Sequence, residues 1–147
     1  MPDALRFSDF CPGQRFRSAS RTVTVDEIKA FAAEYDPQPF HLDEQAAAGS
    51  LFGGLVASGW QTAALAMRLN VDGALPVVGG IIGGAIDELR WPAPVRPGDT
   101  LTAENEVLEV IPSASRPGTG RVRAACRLFN QDGELVLSYV ATLVVRA

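Results

Sequence analysis

The chain carries one histidine, two cysteines and no run of basic residues. Each scarcity removes a class of function. Cys11 and Cys126 form no Cys-x-x-Cys pair and stand at no Cys/His metal spacing, which leaves no metal-ligand cluster and no dithiol motif. They read as reduced structural thiols, the usage expected of a cytoplasmic protein. Lysine and arginine are scattered and the net charge is −4, so nucleic acid is not the expected partner. No apolar run approaches the length of a membrane span. Residues 1–10 include Asp3, Arg6 and Asp9 and lack the apolar core of a signal peptide. What is present is ordinary for a globular chain: 47% hydrophobic and 20% charged residues over 147 positions. One domain spanning 1–147 is expected, with no internal repeat.

The pattern along the chain divides near residue 70. Arg15 to Thr24 alternates in polarity and reads as a first strand. Thr24 and Glu27 match a capping box, and Ile28, Phe31 and Ala32 follow at helical spacing. That helix must stop near Tyr35, because Pro37 pushes Asp36 out of the helical region. Pro37 to Leu42 then reads as a loop, with a short helix capped by Asp43 behind it. From Ser58 to Leu69 the chain is apolar on most sides, with Gln61, Thr62 and Arg68 as exceptions. Such a helix belongs inside a protein. Downstream the period becomes two. Val77 to Trp91, Thr100 to Ile111, Arg121 to Asn130 and Glu134 to Arg146 read as a four-stranded antiparallel meander. Pro97-Gly98 suits a type II turn, and Asn130 to Gly133 a hairpin. The fold class is α+β: an antiparallel sheet wrapped around one hydrophobic helix.

The chemistry concentrates at Asp36-Pro37-Gln38-Pro39-Phe40-His41. A carboxylate and the only imidazole lie five residues apart on a segment stiffened by two prolines. That pair can move protons near neutral pH. A plain Asp-Pro turn beside a surface histidine would give the same residues. Tyr35, Phe40 and Leu42 flank the pair and favour a partly dry site. The second element is Ser58-Gly59 at the start of the apolar helix. There a backbone N–H without a neighbouring Cβ is open to a developing oxyanion. Simple capping by Ser58 is the structural alternative. Gly79-Gly80-Ile81-Ile82-Gly83-Gly84 matches no phosphate-loop pattern, and glycines in a strand suggest a bulge or close approach of another group.

These segments, with Phe52-Gly53-Gly54-Leu55-Val56-Ala57-Ser58-Gly59-Trp60 and the turn Pro94-Val95-Arg96-Pro97-Gly98-Asp99, resemble the MaoC-like hydratases and dehydratases. The resemblance runs from about residue 10 to the end. It implies a hot-dog fold, a homodimer or dimer-based oligomer, and reversible hydration of a trans-2-enoyl-CoA to the (R)-3-hydroxyacyl-CoA, as in fatty acid metabolism. It implies Asp36 and His41 as the catalytic pair and the Gly59 N–H as oxyanion donor, with no cofactor or metal. Ser58, Trp60, Phe40 and Tyr35 are the expected substrate neighbours. The substrate would be an acyl-CoA or acyl-carrier thioester. Two positions depart from the family pattern. Ser58 stands where many relatives carry histidine, and Met67 where some hydratases place a serine. Trp60 and Met67 are expected to narrow the pocket, with Trp91 as a further lining candidate. Two alternatives stay open: a thioesterase on the same fold, disfavoured by the lack of Asp or Glu between Ser50 and Val71, and a non-catalytic acyl-CoA-binding module.

Overall fold

The computed structural model describes residues 4–147. Asp3, counted above against a leader sequence, lies outside the described residues. Two short strands, β1 (Arg15–Arg17) and β2 (Arg21–Thr22), occupy the segment read as one strand. Between them the Ser18 hydroxyl donates to the Ala19 carbonyl and accepts from the Ala103 N–H, which bends the chain. Both strands pair with β4 (Thr100–Pro112).

Helix α1 (Val25–Tyr35) begins with the expected box. The Thr24 hydroxyl accepts from the Glu27 N–H at 3.2 Å, and the Glu27 carboxylate accepts from the Thr24 N–H at 2.8 Å. Asp36 closes the helix in a non-helical conformation. The segment read as a loop contains a helical turn, α2 (Pro39–Leu42), with Pro39 at its first position. Proline is well suited there, because its fixed φ is already helical and its missing N–H would have no helical partner. Asp43 then caps α3 (Glu44–Ala48) by accepting from the Gln45 and Ala46 N–H groups.

Helix α4 (Gly59–Leu69) lies against the sheet, and a π-turn (Asn70–Ala74) extends it. Its orientation corrects the sequence reading. Gln61 and Thr62 face inward with Leu65, Ala66 and Leu69, while Trp60 and Met67 face out. Partners inside make this possible. The Gln61 amide donates to the Glu27 carbonyl at 3.0 Å, and the Thr62 hydroxyl donates to the Ser58 carbonyl.

The remaining strands are β3 (Ile82–Arg90), β5 (Gly120–Phe129) and β6 (Leu135–Val145). The sheet is antiparallel, in the order β1-β4-β5-β6-β3 with β2 also on β4. The meander therefore comprises only β4, β5 and β6; β3 pairs with β6, not with its successor β4. The connection after β3 carries Pro92, Pro94 and Pro97 and is too long and stiff for a hairpin. It crosses to the start of α4, where the Ala57 N–H donates to the Val95 carbonyl. β3 is also shorter than expected, because Gly79 and Gly80 turn the chain at positive φ before it. The other turns match the sequence. Gly98 has φ 87° in the Arg96–Asp99 turn, and Gly133 has φ 75° in the β5–β6 hairpin. Alternate residues of β4, β5 and β6 point inward, placing Leu101, Val107, Val122, Leu128, Leu137 and Val145 in the core beneath α4.

Candidate active site

Asp36 and His41 meet in space. The Asp36 Oδ2 and His41 Nε2 are 3.3 Å apart, and His41 is 5% exposed. The α1 exit fixes the carboxylate and the α2 turn fixes the imidazole. The other ring nitrogen, Nδ1, lies 2.7 Å from the Val56 carbonyl. A carbonyl only accepts, so Nδ1 carries the hydrogen. The nitrogen left to face Asp36 is therefore Nε2. With a proton there the two groups form an ion pair. Without it, the bare Nε2 is a base beside the carboxylate on the cavity wall. The Phe40 ring stands edge-on to the imidazole at 4.6 Å and shields it.

Asp36 is surrounded by donors. The Ser58 hydroxyl donates to Oδ2 at 2.7 Å, and the Gln38 amide donates to Oδ1 at 2.6 Å. The Ser58 hydroxyl holds the carboxyl below its ordinary value of 3.8. Burial opposes that shift, and Gln38 and His41 add to it. The site thus keeps Asp36 ionised. Ser58 also caps α4, because its oxygen accepts from the Trp60 N–H. It is wholly buried and absent from the cavity lining, and its hydroxyl is spent on Asp36.

A cavity of about 530 Å³ opens on the pair. Its walls include Gln38, Phe40, Phe52, Gly59, Trp60 and Trp91. The Gly59 N–H, in the first turn of α4, has no acceptor within the helix. The Trp91 indole N–H donates to the Gly59 carbonyl at 2.8 Å, and its ring meets Trp60 edge-on at 5.4 Å. A Cβ at Gly59 would lie 2.8 Å from the indole, so the glycine is required for Trp91 to sit there. Two expected neighbours are elsewhere. Tyr35 is 68% exposed and leans on Phe31, because the last turn of α1 points it outward. Met67 is on the outer face of α4, away from the cavity. Gln38 and the Val56 carbonyl were not singled out as site residues. Gln38 had a signal, an amide between two prolines two residues from the carboxylate; a backbone carbonyl has none. Among the described residues no His, Cys, Asp and Glu group could hold a metal ion, and no helix is long and apolar enough to cross a membrane.

Residues 9–125 match the model of the MaoC like domain. The chain belongs to this family. The crystal structure of the MaoC-like dehydratase from Rhodospirillum rubrum is similar over 97% of both chains, with 52% identity and a TM-score of 0.94. The MaoC-like chain is 30% identical to the (R)-specific enoyl-CoA hydratase of the same organism, over 96% of this chain and 92% of that one. It is 34% identical to 3-hydroxyacyl-thioester dehydratase Z of Mycobacterium tuberculosis, over 85% and 82%. Two other curated relatives are longer, and the match takes in 28% and 17% of their length. The six-stranded sheet over α4 is the hot-dog fold of these MaoC-like relatives.

Proposed function

We propose that this chain adds water reversibly across the double bond of a trans-2-enoyl thioester, giving the (R)-3-hydroxyacyl thioester. The observation that carries this reading is the Asp36–His41 pair. Its Nε2 and Oδ2 are 3.3 Å apart on the cavity wall, and Nδ1 is committed to the Val56 carbonyl. The names of the hydratase and dehydratase relatives support it from outside the chain.

Water bound in the cavity beside the Asp36–His41 pair loses a proton to it as the water oxygen attacks C3. Negative charge then builds on the thioester oxygen, where the Gly59 N–H and the positive end of α4 stabilise it. The pair returns a proton to C2. The bond formed at C3 and the proton added at C2 account for one water, and the reverse sequence is dehydration. Only protons and water move, so the reaction calls for no metal and no redox cofactor. Ser58 and Gln38 keep Asp36 ionised and oriented. Trp60, Trp91, Phe40 and Phe52 present apolar surface to the acyl group. The substrate is a CoA or carrier-protein thioester, and the two unpaired thiols fit a cytoplasmic protein.

Two copies join through β3. It is the last strand of the sheet, and Ile82 and Ile86 on it are 58% and 51% exposed. A bare apolar edge invites a second copy. Sedimentation giving a monomer at micromolar concentration would exclude this.

An assay with crotonyl-CoA tests the reaction. Loss of the enoyl absorbance without free thiol is the expected result. Thiol release would instead identify a thioesterase, and neither change would leave a binding module.

A further inference from the structure

A second and larger cleft, of about 860 Å³, lies at the opposite end of β3 from the Asp36–His41 cavity. Its walls are the end of β6, the 113–119 loop between β4 and β5, and the turn before β3. Arg116, Arg121 and Arg146 line it, and no Asp or Glu does. Among the described residues outside the cleft, Arg6, Arg17, Arg96 and Arg127 form no ion pair, whereas Arg15, Arg21, Arg68, Arg90 and Arg123 each meet a carboxylate. Among the described residues, none of the cleft's three arginines has such a partner. In a chain of net charge −4, this is a local reversal of sign. Gly79 contributes by its missing side chain. A Cβ there would lie 2.6 Å from the Arg146 guanidinium, so the glycine lets that cation close onto the backbone. Between the cations the floor is apolar, with Val144 44% exposed.

We infer that this cleft binds a phosphate-bearing nucleotide. Guanidinium groups hold phosphate oxygens in paired, charge-assisted hydrogen bonds, and the exposed Val144 on β6 offers the base an apolar face. Along β3 the cleft is roughly 30 Å from Trp91, so within one chain it is separate from the acyl cavity. The inference does not depend on the reaction assigned to Asp36 and His41. Its ligand can be a free nucleotide or the nucleotide end of a CoA thioester, which share this chemistry.

Calorimetric titration with adenosine 3′,5′-bisphosphate and with inorganic phosphate tests it. The wild-type protein is expected to bind the nucleotide more tightly than phosphate, and more weakly as salt is raised. The combined variant Arg116→Ala, Arg121→Ala, Arg146→Ala should lose roughly tenfold in affinity for each phosphate-bonding arginine. Should it fail to fold, Arg121→Glu alone reads the same loss. No binding, equal affinity for phosphate and nucleotide, or unchanged affinity in the folded variant would each overturn the inference. The KM for crotonyl-CoA and crotonyl-pantetheine then separates the two sources. A rise for the CoA thioester alone assigns the cleft to CoA; lost nucleotide affinity with both KM values unchanged assigns it to a free nucleotide.

Discussion

The two ends of β3 are built on opposite electrostatic plans. At the Trp91 end, the charged pair already has its partners: Asp36 receives Ser58, Gln38 and His41, and His41 in turn is held by Val56. At the Ile82 end, three arginines face a cleft without a carboxylate. In the first arrangement the acid-base pair is held in place before any ligand arrives, as its chemistry demands, because the groups must not have to reorient during the reaction. The second leaves its attraction unsatisfied. A ligand is what would complete it.

The largest test removes the pair. Asp36→Asn and His41→Ala should each lower the hydration rate by roughly 10²–10⁴-fold, the range of a lost acid-base group. The fold should be retained in both, since core packing lies elsewhere. Near-wild-type rates in both variants would sink the assignment. Gly59→Ala comes next. The added methyl would lie 2.8 Å from the Trp91 indole, which must swing away from the Gly59 carbonyl and from Trp60. Misplacement of a cavity wall on that scale can cost on the order of 10²-fold in kcat/KM. Steady-state kinetics should show the loss while indole fluorescence reports the displaced ring. Unchanged values of both would mean that the contact is not tight.

How these ends were legible in the sequence differs as well. The Thr24 box, the Pro37 stop and the Gly59 helix start are local rules, and they put Asp36 and Gly59 at the element ends where they stand in the fold; His41, read in a loop, stands in the α2 turn. Local rules do not state which strand pairs with which. That β3 lies beside β6 depends on the path of the proline-rich connection over α4, so the arginine cleft could not be foreseen. Inward Gln61 and Thr62 escaped for a related reason: polarity predicts exposure unless a partner waits inside, and the Glu27 and Ser58 carbonyls do. Tyr35 failed because a flanking position in sequence is not a facing position at a helix end. The hydrogen on His41 Nδ1 rests on a backbone carbonyl, which carries no side-chain signature.

Ser58→Ala should have a smaller effect, with a definite sign. The Ser58 hydroxyl is the leading cause of the depressed Asp36 value, so its loss moves the folded-state value up toward 3.8. A carboxyl depressed on folding contributes stability above its unfolded value and loses it as the pH falls through the folded value. In Ser58→Ala that acid loss begins at higher pH, and the acid limb of the kcat/KM profile moves up with it. The lost α4 cap also costs about 1 kcal/mol at neutral pH. An acid limb that stays in place, in a variant melting at lower temperature, would reduce Ser58 to a cap.

The smallest expected effect is on the other end. Arg116→Ala and Arg121→Ala should change stability by no more than about 0.5 kcal/mol, the range of ordinary surface substitutions. The reason is specific. Neither guanidinium pairs with a carboxylate among the described residues, so no attraction is lost. Gathering like charges in one cleft costs rather than contributes energy in the unliganded fold. Thermal melts at low salt are the sensitive measurement, because screening hides such repulsion. A melting temperature that holds or rises fits cations awaiting an anion. A fall of several degrees in either variant would show that the arginine already has a structural partner, and the contrast between the two ends of β3 would be gone.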